Sequence, residues 1–461
     1  MQKIFSAMTL ACLLHCGSMM AEDHPAYQYP EQPEVMQTLR EWQDMKFGLF
    51  IHWGTYSQWG IVESWSLCPE DYSFTSVRPK DKSYFEYVKE YENLKTTFNP
   101  VKFNPSKWAQ AAKDAGMKYV VFTTKHHDGF NMYDTKYTDY KISDKECPYS
   151  KSGKPDVTKE LFNAFREKGL KTGGYYSITD WHSNDYWWDY FPPTGRFANY
   201  SLKKYPEKWK NYNDFLNNQL EELTNGNYGK LEMMWFDLCD VSTEGTVDWP
   251  RIEKTLRNNQ PGIMMVARHQ YNKYENYRTP EQKIPEQALE YPWETCMTMA
   301  NQWSYKPNDE YKPASKIIQF LVQIVSRGGN FLLNVGPGPN GELDPIAYQR
   351  LAEIGKWMSV NGDGIYGTKP IVPYKETRLA FTSKGDYVYA FYLPAENETK
   401  IPGRVAVETM CPVKNSEVFL LGYDKPLEWE NNGKGIIINI PKSLQNNPPC
   451  QHAWTFTLKM K

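Results

Sequence analysis

Seven apolar, β-rich runs lie along the first three quarters of the chain, several of them separated by amphipathic helical segments. That alternation restricts the fold more than any other feature, because strands that return in the same direction need a crossover helix. The runs fall at residues 47–53, 119–124, 170–177, 231–236, 263–267, 289–293 and 331–335, with helices expected at 105–115, 157–168, 207–224, 249–258 and 315–326. Asn104-Pro105 opens one helix and Gly116 closes it, and Gly169 closes the next. Seven strands approach the eight of a (β/α)8 barrel. The competing arrangement, an open doubly wound sheet, usually carries a glycine-rich phosphate loop after its first strand, and Phe47-Gly48-Leu49-Phe50-Ile51-His52-Trp53-Gly54 supplies none. After Gly367 the pattern changes to short alternating strands at 387–392, 417–421, 435–440 and 453–458, with Pro, Asn and Gly turns between them, as in a small antiparallel β-sandwich. The expected organisation is α/β: a (β/α)8-like barrel, regular or distorted, over residues 27–367, then a C-terminal antiparallel β-sandwich over 368–461.

Composition narrows the function. Lys and Arg number 53 against 55 Asp and Glu, a formal charge of -2, so no nucleic-acid or anionic-membrane surface is expected. Hydrophobic residues at 40% and charged residues at 23% exclude disorder and a multi-span membrane protein. Aromatics are in excess at 15%, with 16 Trp and 33 Tyr. Such rings suit the C–H faces and hydroxyls of a sugar, although a large core with wet edges accounts for the same count. Residues 1–21 carry one cation, Lys3, then an apolar run and small and polar residues, and read as a secretory signal peptide too short to span a membrane. Leu13-Leu14-His15-Cys16 loosely resembles a lipoprotein box with His in place of the small residue, so a lipid anchor on Cys16 stays open. Cys12 and Cys16 belong to that segment; Cys68, Cys147, Cys239, Cys296, Cys411 and Cys450 are widely spread and form no C-x-x-C pair, which argues against a cysteine metal or redox site.

The chemistry gathers where the expected strands end, which in a barrel is the catalytic face. The first run ends in His52-Trp53, the second in Lys125-His126-His127-Asp128, and the third in Tyr175-Tyr176 followed by Trp181-His182. Trp235-Phe236-Asp237, Arg268-His269 and Trp293-Glu294 end the fourth, fifth and sixth. Together they describe a polar pocket with aromatic walls, to which Trp53, Trp65, Tyr175, Tyr176, Trp181, Trp235, Trp293 and Trp303 are expected to contribute. Taken singly, each has a plainer reading: a loop-bonded histidine, a turn at Asp128-Gly129, an ion pair for Lys125, a core indole. His126 and His127 are adjacent, so in an extended strand they face opposite ways and cannot ligate one metal together. Asp237 follows a run of buried-strand character, where even a lesser unpaired polar group costs roughly 2–7 kcal/mol, so it is either paired or used. Glu294 supplies a second carboxylate, and two carboxyls about one glycosidic bond are the minimal glycosidase apparatus.

These segments resemble the α-L-fucosidases of glycoside hydrolase family 29, in their broad-specificity branch, from about Tyr29 to the C-terminus. The resemblance is carried by WQDMKFGLFIHWG (42–54), AGMKYVVFTTKHHDGF (115–130), GYYS (174–177) with Asp180-Trp181, MWFD (234–237), WETC (293–296), SRGGNFLLNVGP (326–337) and IGKWMSVNGDGIYG (354–367). It implies Asp237 as nucleophile and Glu294 as acid/base. It further implies that His52, His126, His127, Tyr176 and Arg268 hold the sugar, with Trp65, Trp235 and Trp303 beside it. The family's usual Gly-Glu-Trp reads Glu63-Ser64-Trp65 here, with Glu63 as a further sugar ligand; its Trp-Gly-Tyr reads Trp303-Ser304-Tyr305, and the glycine that often follows the nucleophile is Leu238.

The implied activity is an exported, retaining α-L-fucosidase acting on terminal fucose of glycans, with no cofactor and no metal. A non-catalytic fucose-binding protein and a glycosidase for a related sugar such as α-L-galactose are the alternatives. The expected partner is a fucosylated glycan, not nucleic acid, and a membrane only through Cys16; oligomeric state, linkage and disulfide pairing are not given by the sequence.

Overall fold

The structure, a computed structural model, describes residues 25–70, 77–238, 240–242, 244–268, 270–396 and 398–460. The expected signal peptide with Cys12 and Cys16, and also Cys239 and His269, lie outside the described residues.

Helix α1 (Pro33–Met45) leads into strand β1 (Phe47–Ile51), and α2 (Tyr84–Glu92) and α3 (Pro105–Asp114) precede β2 (Tyr119–Lys125). Then follow α4 (Val157–Glu167), β3 (Lys171–Ser177), α5 (Pro206–Thr224), β4 (Met233–Asp237), α6 (Trp249–Asn259), β5 (Met264–Ala267), β6 (Glu294–Thr298), α7 (Ala314–Val325), β7 (Asn330–Val335) and α8 (Pro345–Asn361). The helix starts carry the chemistry that fixes them: Asn104, Asp156, Asp248 and Asp344 each accept a backbone N–H from the first turn, three of them ahead of a proline or beside one at the first helical positions.

Strands β1 to β7 form one parallel sheet in the order β5-β4-β3-β2-β1-β7-β6, a curled, distorted barrel. Between β5 and β6, among the described residues, no regular strand closes the ring. An irregular segment crosses the gap instead: Asn276 N donates to Met265 O at 2.8 Å on one side, and on the other Arg278 N donates to Pro292 O at 3.0 Å while Glu294 N donates to Arg278 O at 2.9 Å. Inside the sheet, Phe50, Tyr119, Val121, Tyr175, Met233, Trp235, Met264, Val266 and Leu332 make an inner core that Val35, Leu39 and Trp42 of α1 cap from the N-terminal end. The helices cover the outside through the larger apolar cluster. Every residue of β1, β2, β4, β5, β6 and β7 is buried, which is why these strands read as continuous apolar runs rather than alternating ones.

The sixth expected run, 289–293, is the one that moves. Regular pairing begins at Glu294, in register with Asn330 at the start of β7, so Trp293-Glu294 stands at the entry of the strand and not at its exit.

From Lys369 the chain is antiparallel: a five-stranded sheet and a three-stranded sheet enclose a core that includes Phe381, Val388, Val405, Ile436, Ile438 and Phe456. Helix α8 ties it to the barrel. Trp357 Nε1 donates to Ala453 O at 3.0 Å, and Thr455 Oγ1 donates to Asn361 Oδ1 at 2.6 Å. Among the described residues, Cys68, Cys147, Cys296, Cys411 and Cys450 are free thiols.

Candidate active site

The C-terminal ends of the parallel strands surround a cavity of about 410 Å³ lined by His52, Glu63, Trp65, His126, His127, Trp235, Asp237, Arg268 and Trp303, all of them expected from the sequence. Tyr175, expected among the aromatic walls, also lines it with Cys296, as do Phe50, Arg196, Glu281, Asn301 and Gln302, which were not expected there.

Asp237, the last residue of β4, is nearly enclosed and held on every side. Arg268 Nη1 donates to its Oδ1 at 2.5 Å, Leu238 N donates to the same oxygen at 2.8 Å, and Tyr175 Oη donates to Oδ2 at 2.9 Å. Burial raises this carboxyl, but Arg268, the Leu238 N–H and the His127 ring together more than offset it, so Asp237 is held far below the usual carboxylate range and is ionised. The second Nη of Arg268 binds Glu281 Oε2, so one guanidinium spans two carboxylates. Glu281 is pushed up by burial, and the Asp237 charge adds to the rise while Arg268 opposes it.

The histidines are neutral acceptors. His52 Nδ1 lies 2.6 Å from Asn334 Oδ1, an oxygen whose amide partner already donates to Trp303 O, so His52 carries its proton on Nδ1. His127 Nδ1 lies 2.7 Å from Ser177 Oγ, whose hydroxyl donates to Thr179 O at 2.6 Å, which again places the proton on Nδ1. Burial lowers His52 to about 4 and His127 to about 3. Each therefore has an unprotonated Nε2, and that of His127 lies 3.8 Å from Asp237 Oδ2. Two acceptors that close both call for donors from whatever enters the cavity. Glu63 is fixed by Ser304 N, which donates to its Oε1 at 2.8 Å, and burial raises it to about 7.

Two expected residues stand elsewhere. Tyr176 faces outward, since neighbours along a strand point to opposite sides: its Oη donates to Gln219 Oε1 at 2.6 Å and accepts from Lys125 Nζ at 3.0 Å. Tyr175 takes the inward position, in register with Trp235. Glu294 lies beneath the cavity at the N-terminal end of β6, fully buried, and accepts from Tyr119 Oη, from Trp235 Nε1 at 3.3 Å and from Tyr277 Oη at 3.2 Å. It does not line the cavity; the carboxylates that line it with Asp237 are Glu63 and Glu281, and of these Glu281 shares Arg268 with Asp237.

The histidine pair departs from expectation in the other direction. β2 ends at Lys125, so His126 and His127 follow the strand, and both rings turn into the cavity with centroids 4.0 Å apart. Gly129, at φ +76°, makes the turn that follows, where a Cβ would meet Asp180 Oδ1 at 2.2 Å. Asp128 serves this turn by accepting Phe130 N at 3.2 Å and Tyr91 Oη at 2.8 Å, while Lys125 pairs with Asp180 at 3.0 Å. Of the other indoles, Trp53, Trp181 and Trp293 donate to Gly338 O, Arg196 O and Arg327 O and belong to the packing around the site. Arg196, missed because it sits on a long loop without periodicity, stacks over Trp65 at 4.9 Å and pairs with Glu70 at 2.8 Å.

The family described as alpha-L-fucosidase matches residues 14–363, and its C-terminal domain matches 374–459. The chain belongs to the α-L-fucosidase family. It is 32% identical to the tissue alpha-L-fucosidase of Bos taurus over 95% of this chain and 92% of that protein, and 29% identical to the alpha-L-fucosidase of Branchiostoma floridae over 98% and 99%. Among solved structures it is similar to alpha-L-fucosidase isoenzyme 1 of Paenibacillus thiaminolyticus, with a TM-score of 0.76, 30% identity, and coverage of 93% of this chain and 100% of that one. An α-L-fucosidase of Bacteroides thetaiotaomicron trapped as a covalent intermediate aligns at a TM-score of 0.73 and 25% identity, over 94% and 98%. This fucosidase thus carries at its strand ends a cavity in which Asp237 and Glu281 share the Arg268 guanidinium.

Proposed function

We propose that this chain is an exported, retaining α-L-fucosidase that removes terminal α-L-fucose from glycans by double displacement, with Asp237 as nucleophile and Glu281 as acid/base. The observation that carries the roles is Arg268, whose guanidinium binds both carboxylates inside one cavity. Retaining enzymes need the two groups about 5–5.5 Å apart, and inverting enzymes need a gap of about 6.5–9.5 Å to seat water. A shared guanidinium favours the short spacing.

In the first step the C1–oxygen bond to the leaving group breaks as Asp237 bonds to C1, and Glu281 gives its proton to the departing oxygen. Asp237 Oδ1 already accepts from Arg268 and Leu238, so Oδ2, with one donor, is the oxygen better placed to attack. In the second step the Glu281 carboxylate takes a proton from water as the water oxygen bonds to C1 and Asp237 departs. His52 and His127 accept sugar hydroxyls, and Phe50, Trp235 and Trp303 supply an apolar side suited to the methyl of a 6-deoxy sugar. Such a side does not strongly reject an added hydroxyl, so α-L-galactosides should be poor substrates rather than excluded ones. Beyond Glu281 and Arg268 a second opening, lined in part by Tyr271, Tyr291 and Lys283, gives the leaving group room.

The aryl α-L-fucoside is the test. Asp237→Ala should lose nearly all turnover and, with azide, form β-fucosyl azide; Glu281→Ala should keep activity on an activated aryl fucoside and, with azide, form α-fucosyl azide. Exchanged products would reverse the two roles, and no wild-type turnover would overturn the enzyme reading. Export rests on the composition of residues 1–21 and is tested by the N-terminal sequence of the secreted protein; acyl labelling that persists unless Cys16 is replaced would show a lipid anchor.

A further inference from the structure

Glu294 is left without a part in the chemistry, yet it occupies an unusual place. It is fully buried at the N-terminal end of β6, and among the described residues no Lys or Arg pairs with it. Its neighbours are aromatic donors: Tyr119 on β2, Trp235 on β4, and Tyr277 in the irregular segment that crosses the ring gap, with Tyr277 itself stacked on Trp42 of α1 at 4.0 Å. A carboxylate accepts and does not donate, so it can gather several O–H and N–H groups at once. Burying it without a cation is costly, and burial accordingly raises it to about 7.

One of those donors leads directly to the sugar cavity. Trp235 is tied to Glu294 by Nε1 and lines the cavity. The indole also stacks on Tyr175, with centroids 5.6 Å apart and planes 20° from parallel, and Tyr175 stacks in turn on His126 at 5.5 Å and 7°. Tyr175 Oη holds Asp237 Oδ2. The indole therefore has one edge anchored from below, one neighbour that orients the nucleophile, and a surface offered to the substrate.

We propose that Glu294 is a positioning residue that sets the tilt of the Trp235 indole from beneath the fucose site, and through the Trp235–Tyr175 stack the aim of Asp237. This rests on reading the cavity as the fucose site. Removing the acceptor frees the indole to rotate about its own side chain, and a displacement of about 1 Å at a reacting group costs on the order of 100-fold in rate.

The test compares Glu294→Gln, Glu294→Met, Trp235→Phe and the double variant Trp235→Phe/Glu294→Met on two aryl α-L-fucosides, one with a nitrophenol and one with a phenol leaving group. Glutamine keeps an acceptor for the indole, so Glu294→Gln should hold kcat/KM within about threefold, whereas Glu294→Met should lose roughly 30- to 100-fold, by the same factor on both substrates. In the Trp235→Phe background, which has no indole N–H, Glu294→Met should add no more than about threefold. A full further loss in that background would mean that Glu294 acts elsewhere, and a loss confined to the phenol substrate and reversed by azide would make it the acid; either result overturns the proposal. If Glu294→Met does not fold, the indole N–H resonance of Trp235, assigned by its disappearance in Trp235→Phe, decides: it should shift in Glu294→Gln, and an unmoved resonance refutes the anchor. Wild type inactive on both fucosides would instead sink the fucosidase reading and leave the resonance test standing.

Discussion

Tyr175 and Tyr176 differ by one position and by everything that follows from it. Tyr175 donates to Asp237; Tyr176 bridges Lys125 and Gln219 outside the sheet. Tyr175→Phe should lower kcat/KM about tenfold, because a hydrogen bond to a charged group is worth roughly 1.5–3 kcal/mol, with little change in melting temperature. Tyr176→Phe should do the reverse, leaving kcat/KM near wild type and costing about 1–3 kcal/mol of stability as Lys125 and Gln219 lose a partner. Steady-state kinetics and thermal melts on the pair settle which tyrosine faces the sugar. Leu238 is a second single-residue case: it adopts φ +45°, in the region that favours glycine, while its N–H holds Asp237 Oδ1. Leu238→Gly should be neutral or stabilising in a thermal melt, and a marked loss would show that its side-chain packing outweighs the strain.

At the scale of elements, what could be read from the residues depended on whether a period or a strand end announced it. Asp237, Arg268, His52 and the KHHD segment were legible because each follows a buried run whose end is marked by the first charged or polar side chain. Residue type does not separate Tyr175 from Tyr176, since the two faces of a parallel strand are both apolar here, whereas the register with Trp235 does. Glu294 reads as a strand end because the run before it looks like a strand, whereas regular pairing starts at Glu294 and leaves it beneath the cavity. Glu281 had no signal at all, lying in a segment without period. The ring gap near that segment hangs on Asn276, whose Oδ1 accepts Met265 N at 2.8 Å and Arg257 Nη2 at 3.1 Å. Asn276→Ala strands the buried Met265 amide and should cost about 1–3 kcal/mol in a denaturant melt; an unchanged midpoint would mean that the gap is closed by other contacts.

For the molecule as a whole, buried titratable groups set opposing pH responses. Burial raises Glu63 and Glu294 to about 7 from an ordinary 4.5, and Asp128 to about 6 from 3.8, so the folded chain binds protons that the unfolded chain has released. Each contributes fully below its unfolded value, and that stability is lost as pH rises through the folded value. His52 and His127, lowered from 6.5 to about 4 and about 3, contribute fully above 6.5 and lose stability as pH falls. The two sets largely offset each other between about pH 4.5 and 7. Glu294→Gln removes one member of the first set, so its melting temperature relative to wild type should climb across that window; a difference that falls with pH would contradict the raised value.

The incomplete ring has one further consequence. Asp237 is clamped in a strand hydrogen-bonded on both flanks, whereas Glu281 rides on the stretch that replaces a strand. The two halves of the reaction thus sit on supports of unequal stiffness. The proposed nucleophile is fixed by the ladder, and the proposed proton donor stands where insertions, deletions and thermal motion are absorbed without disturbing the other. Amides of 275–283 should accordingly exchange with deuterium sooner than those of 233–237, and changes in chain length near Glu281 are the natural way for such an enzyme to accommodate a different leaving group.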